Sequence, residues 1–280
     1  MGTTDNVVAL TRLELSDAIR SRWLLFTCVA YAAVFAVFTW LGLRESTVLG
    51  FTGLSRVILN VANAVVLSVP LLALVATSQS VVRARSSGLL EMLLTQPCRR
   101  GEWFTALALS RALVLVGPLV ALLLVAGVLG LVWEGDRETA HTAFRSFGIC
   151  AALAWAFTGV GLWISASART PERAVVYALI AWIAAAALHD FALVGILLRW
   201  NIPAPTVFAL AAANPVEAAR LGILGGMDPD LSILGPVGFW LANTLGNNLS
   251  LLVAVVWPTV LGTATALLAW RQVQRFDAVG

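Results

Sequence analysis

The sequence predicts an all-α integral membrane protein with six transmembrane helices and an N-terminal helix lying in the membrane interface. Three observations carry that prediction. Six stretches are uncharged, or nearly so, and long enough to cross a bilayer, which takes about 20 apolar residues. Charged residues make up only 12% of the chain and hydrophobic ones 60%. Soluble domains carry roughly 25% and 45–50%, so too little charge is present to cover a water-exposed surface. The basic residues, finally, fall unevenly between alternate apolar stretches.

Residues 1–22 set apolar Val8, Leu15 and Ile19 among charged Arg12, Asp17 and Arg20. That pattern suits an interfacial helix, with Asp5 available as its cap. The acids Asp5, Glu14 and Asp17 exclude a signal peptide. Spans are expected at Trp23–Leu43, Val57–Val82, Ala112–Trp133 and Ser146–Ala168, then at Ala174–Leu198, interrupted only by His189-Asp190. The uncharged stretch Leu231–Trp270 is too long for one span and is broken by Pro236, Gly246 and Asn247-Asn248. It places the sixth helix at about Leu249–Trp270, with a kink at Pro258. Between helices five and six, residues 199–248 are too apolar for a solvated loop. Asn214-Pro215 opens a short helix that Gly225-Gly226 ends, and such helices are expected at the outer membrane surface. Trp23, Trp133, Trp200 and Trp270 fall at span ends as interface anchors. The whole chain, 1–280, reads as one transmembrane domain.

Six spans put both termini on one side. Of the 18 basic residues, all arginine, 12 lie on that side and 6 on the other: Arg44, Arg56, Arg137, Arg145, Arg199 and Arg220. The positive-inside bias makes both termini cytoplasmic, in a multi-pass cell (inner) membrane protein.

Several functions are excluded. Without a single lysine, the chain has no phosphate-binding loop of the G-x-x-x-x-G-K-[ST] type and no lysine Schiff base. It is therefore no ATPase by itself. A net charge of +3 spread between apolar blocks does not suit a nucleic-acid partner. Cys28, Cys98 and Cys150 are far apart and read as small hydrophobes. No metal site is expected, because His141, His189, Met92, Met227 and the cysteines form no cluster. No catalytic residues are assigned. A membrane-embedded enzyme would need a convergent polar set, and His189-Asp190 stands alone.

Residues 83–103 are the most informative segment. Ser86 or Ser87 can cap a helix, and Leu89, Leu90, Leu93 and Leu94 form a stripe at helical spacing. Pro97 stops the helix, Arg99 and Arg100 follow, and Trp103 re-enters the membrane. Such a short amphipathic helix is either a lipid anchor or a docking knob for a soluble partner. Polar residues inside the spans are the other candidates. Asn60 and Asn63 share a face of the second helix, which also carries Gln79. With His189 and Asp190 they line a pathway or gate, or else they bond helix to helix.

This loop resembles the coupling segment of ABC type-2 transporter permeases, whose pattern falls on Gly88, Leu89, Leu90, Leu93, Leu94, Thr95, Pro97 and Arg100. Leu13 to Asp17 with Arg20, Arg22 and Trp23 is similar to the NosY-type membrane subunits of that family. So are Asp190 and Asn214-Pro215 with Arg220. The resemblance implies a permease that pairs with a second copy of itself and with a cytoplasmic ATPase subunit, which binds the ATP and Mg. The ATPase contacts would come from Ser86, Gly88, Leu89, Leu90, Glu91, Leu93, Leu94, Pro97, Arg99, Arg100 and Trp103. It further implies service in nitrous oxide reductase maturation with a periplasmic accessory protein. Drug, natural-product or lipid export is the alternative, as is a membrane anchor or assembly factor without transport. Two departures stand out. Arg83, Arg85 and Ser86 occupy the place of the family's usual acids, and Leu107 that of its usual lysine.

Overall fold

The computed structural model of the protein describes residues 3–20, 25–34, 36–37, 40, 54–95, 98–134, 137–227 and 246–276. Among the described residues there are helices and connections and no strand. In chain order the helices are α1 (Thr3–Arg20), α2 (Leu25–Val34), α3 (Leu54–Thr77), α4 (Ser80–Ser86) and α5 (Leu89–Leu94). Next come α6 (Arg100–Glu134), α7 (Arg137–Ser167) and α8 (Pro171–Arg199). The last are α9 (Ala204–Ala213), α10 (Pro215–Met227) and α11 (Gly246–Gln274).

Five described helical stretches are long and apolar enough to cross a membrane: Ala64–Ser86, Arg100–Leu122, Phe144–Ser167, Pro171–Arg199 and Ser250–Gln274. The bent pair α9 and α10 makes a sixth if it counts as one span. Of the expected first span, α2 is described, and most of the remainder lies outside the described residues.

α7 is the hub. It packs on α3, α6, α10 and, most extensively, α11. Small residues permit that contact. A methyl group at Gly262 of α11 would lie 2.6 Å from the Trp155 carbonyl oxygen of α7, and one at Gly159 would strike the Gly262 backbone. Lipid tails are as apolar as leucine, so membrane helices associate through such close packing rather than by escape from solvent. The core between α3, α6, α7, α10 and α11 includes Val65, Val69, Leu115, Leu153, Ile223 and Ala254.

Helix boundaries differ from expectation where charged residues are involved. The third membrane helix begins at Arg100, not Ala112, and runs unbroken past Arg111. Arg111 needs no solvent there, because Glu14 of α1 lies 3.9 Å away. The α1 helix begins at Thr3, which puts Asp5 inside its first turn. Its polar residues serve contacts with α6, Asn6 reaching Glu102 and Glu14 reaching Trp103. Val8, Leu13 and Ile19 stay more than half exposed.

The segment after α8 forms the short helices expected, α9 and α10, and α10 does not lie free of the spans. It enters the bundle against α3, α7 and α11, burying Val216, Ala218, Ala219 and Ile223. The two helices meet at 118°. Nor do Gly225-Gly226 end α10, which continues through both to Met227.

Candidate functional site

Within the second membrane stretch, Ala64–Ser86, α3 gives way to α4 at Ser78-Gln79. A break inside a packed helix exposes backbone donors. Ser165 of α7 meets this need, its hydroxyl accepting from Val81 N at 2.9 Å and Val82 N at 3.1 Å. α4 is thereby fixed to α7 in place of continuing α3. It ends at Gly88, the one positive-φ glycine among the described residues (φ 72°), a left-handed conformation glycine adopts at little cost. Gly88 therefore starts α5, and neither Ser86 nor Ser87 caps it. Their hydroxyls turn back to the carbonyls of Arg83 and Ala84.

α5 has two faces, and they divide the leucine stripe. Leu90 and Leu93 are buried against the chain's own Val81, Ala84, Trp103 and Leu107. They are structural anchors, not residues free to enter a partner. The outward face instead offers Leu89 and Met92, 40% and 57% exposed, with Glu91, Thr95 and Ser86 beside them. Pro97 and the side chain of Leu94 lie outside the described residues.

The two arginines after α5 also part company. Arg99 is exposed, and its backbone N–H donates to Glu102 at 3.1 Å, closing the first turn of α6. Arg100 turns inward, donating to the carbonyls of Val273 (3.4 Å), Gln274 (3.2 Å) and Phe276 at the end of α11. Carbonyls run short of amide donors at a helix C-terminus, so a cation there adds hydrogen bonds and meets the helix dipole, beside the Phe276 N–H that the Val273 carbonyl already accepts. Trp103 is buried, donating to Glu14 at 3.3 Å.

A recess of 310 Å³ opens between α1, α3–α5 and α6, lined by Glu14, Asp17, Gln79, Arg83, Trp103 and Arg111. Burial raises the Glu14 carboxyl above its ordinary value, with Arg111 and the Trp103 hydrogen bond opposing in part. Burial likewise raises the Cys98 thiol, which points away from a reactive thiolate.

At the opposite end of the bundle, His189 and Asp190 do not act as a pair. Arg220 of α10 contacts Asp190 at 3.3 Å and also binds Glu217 of its own helix. His189 Nε2 is buried without a partner among the described residues. One turn earlier α8 widens into a π-helical turn, Ala184–Leu188. Asn214 joins the two elements: its amide donates to the Ala185 carbonyl at 2.6 Å, and its oxygen caps α10 by accepting from Val216 N at 2.9 Å. The side chains of Asn60 and Asn63 lie outside the described residues, so their pathway role has no structural counterpart here.

Among the described residues no three His, Cys, Asp or Glu side chains gather in a metal-sized cluster. The arrangement is mechanical: a short two-faced helix clamped between the ends of several membrane helices. Ser165 and Phe276 were not singled out from the sequence; Glu14 and Arg85 were, but not for these contacts.

The family described as ABC-2 family transporter protein matches residues 8–276. A protein of Stutzerimonas stutzeri named "Probable ABC transporter permease protein NosY" is 29% identical over 269 residues, 93% of this chain and 92% of its own length. A protein of the same name from Pseudomonas aeruginosa is 28% identical over 230 residues, 79% of this chain and 82% of that one.

Proposed function

The chain belongs to the ABC-2 transporter family, and from that premise we propose that it is the permease subunit on which a cytoplasmic ATPase docks through α5. The single observation that carries this reading is the division of α5. Leu90 and Leu93 fasten it to α4 and α6, while Glu91 and Met92 face outward with Leu89 at the edge of the recess. The exposed carboxylate of Glu91 on that face suits a soluble partner better than the lipid interior.

The ATPase brings the ATP and Mg, and this lysine-free chain hydrolyses nothing alone. A second copy completes the membrane unit, and both termini lie in the cytoplasm with α5. The NosY name of both relatives, together with the resemblance of residues 13–23 and 214–220 to that subgroup, supports service in nitrous oxide reductase maturation over drug or lipid export.

The test is co-expression with a candidate ABC ATPase subunit from the same organism. Met92→Asp should abolish co-purification while leaving the thermal unfolding of the detergent-solubilised chain unchanged. Undiminished ATPase recovery with Met92→Asp would remove the outward face of α5 from the docking surface. Deletion of the gene in a strain that carries nitrous oxide reductase should abolish nitrous oxide reduction, and unimpaired reduction would refute that assignment.

A further inference from the structure

The two arginines that flank α5 do not project from it. Arg85, three residues before Gly88, stacks its guanidinium over the Phe276 ring at 4.8 Å and donates to the Ala168 carbonyl at 2.6 Å. Arg100, beyond the other end of α5, holds the carbonyls of Val273, Gln274 and Phe276. Ser167 adds a hydrogen bond of 3.0 Å to Gln272. Four helix ends therefore meet on one short segment: the end of α4, the start of α6, the end of α7 and the end of α11. Phe276 is the piece both arginines grip.

We propose that Arg85, Arg100 and Phe276 form a clasp that transmits displacement of α5 to α11. The reading rests on ATPase docking at α5. Displacing α5 pulls on both arginines at once: Arg100 is attached to the last turn of α11, and Arg85 to Phe276 just beyond it. Near its middle, four residues past Pro258, that helix crosses α7 in direct backbone contact at Gly159 and Gly262, and this contact is the fulcrum. Gly262 lies 11 residues before Val273, about 16 Å along a helix. Movement imposed at the clasp thus turns α11 about the glycine crossing and reaches its far end. The three are positioning residues: they touch neither nucleotide nor partner and act by linking one helix to another. Cation–π contact and charge-assisted hydrogen bonds suit the task, because they are directional and use acceptors that titration does not remove.

The experiment uses the full complex with its ATPase, in lipid nanodiscs. Nitroxide labels are placed at Leu252 of α11 and Phe144 of α7, exposed positions at the end away from α5, after replacement of the three cysteines. The readout is the fraction of complexes whose label distance changes on addition of ATP, Mg and vanadate. Phe276→Ala and Arg85→Gln should each cut that fraction at least twofold while the ATPase co-purifies as in wild type, and Arg85→Lys should restore part of the response. An undiminished response in both variants overturns the clasp, as does loss of ATPase binding, which would make these residues part of the docking surface. A wild-type complex that binds ATPase but shows no change at Leu252 overturns the clasp and leaves docking intact. A wild-type chain that fails to bind the ATPase refutes the docking reading itself, and the clasp with it.

Discussion

Arginine serves two unlike purposes at the two ends of this bundle. Near α5, Arg85 and Arg100 end on backbone carbonyls and an aromatic ring. At the opposite end, Arg220 ends on two carboxylates, Asp190 and Glu217, from two different helices. Backbone carbonyls exist at every residue and stay neutral, so the first arrangement survives substitution of almost any residue that supplies them. The second depends on the identity of each member. Removing its one cation leaves two acids facing each other within apolar helices. The difference teaches where this chain is fragile: the charged cluster holds α10 to α8 by chemistry no neighbour can replace, while the α5 end spreads its attachment over many neutral contacts.

Mutations can break or sharpen that contrast. Arg220→Leu should have the largest effect, about 3 kcal/mol of lost stability. That is the low side for a broken buried pair, since Asp190 keeps 35% of its side chain accessible. Thermal unfolding in detergent measures it, and Glu217→Gln in the same chain should recover part of the loss. A negligible effect would show that the cluster is no more critical than the other end. Leu93→Ala should follow at about 2 kcal/mol, from lost packing against Trp103 and Leu107. Met92→Ala, on the outward face, should stay within about 0.5 kcal/mol, and equal effects would erase the two faces of α5. Ser165→Ala strands the N–H groups of Val81 and Val82 and should lower stability by about 1.5 kcal/mol. Faster amide exchange confined to α4 and α5 would confirm that cause.

Glu14→Gln should also be small and should depend on pH. Burial raises the folded-state pKa of Glu14, so folding favours its protonated form. That contribution is complete below the unfolded value of about 4.3 and is lost as pH rises through the raised folded value. Wild type and the glutamine variant should therefore unfold alike in acid, and wild type should fall behind at higher pH by less than about 1 kcal/mol. A widening gap toward low pH would reverse the sign and show the Arg111 ion pair outweighing burial.

Hydropathy made the spans legible, because a run of uncharged residues has few other uses at that length. It failed where a charge found its partner inside the protein. Arg111 looked like the edge of a helix because nothing in its own segment neutralises it; Glu14, 97 positions earlier, does. Glu217 and Arg220 of α10 likewise gave no sign in their own segment that they meet Asp190 of α8. The leucine stripe of α5 was legible as a stripe, but periodicity does not say whether a face turns toward the chain itself or away from it. The clasp left no trace in the sequence, since its acceptors are backbone atoms common to every residue. The docking role of α5 came from resemblance to a family and not from periodicity, which left a lipid anchor equally open.

The wide turn in α8 changes how its sequence must be counted. The N–H of His189 reaches back five residues, to the Ala184 carbonyl, where a regular helix reaches four. One residue more than usual is absorbed in a single turn, so positions before Ala184 and after Leu188 fall out of phase by one when stepped at 3.6. The surplus sits in Ala184, Ala185, Ala186 and Ala187, four interchangeable letters, and loss of any one of them yields the same shortened chain. Such a chain can close the turn as ordinary α-helix with Asp190 still facing Arg220. It would take back the Ala185 carbonyl and leave the Asn214 amide without its acceptor. A one-codon deletion thus separates the two ties between α8 and α10, keeping the ion pair while releasing the amide.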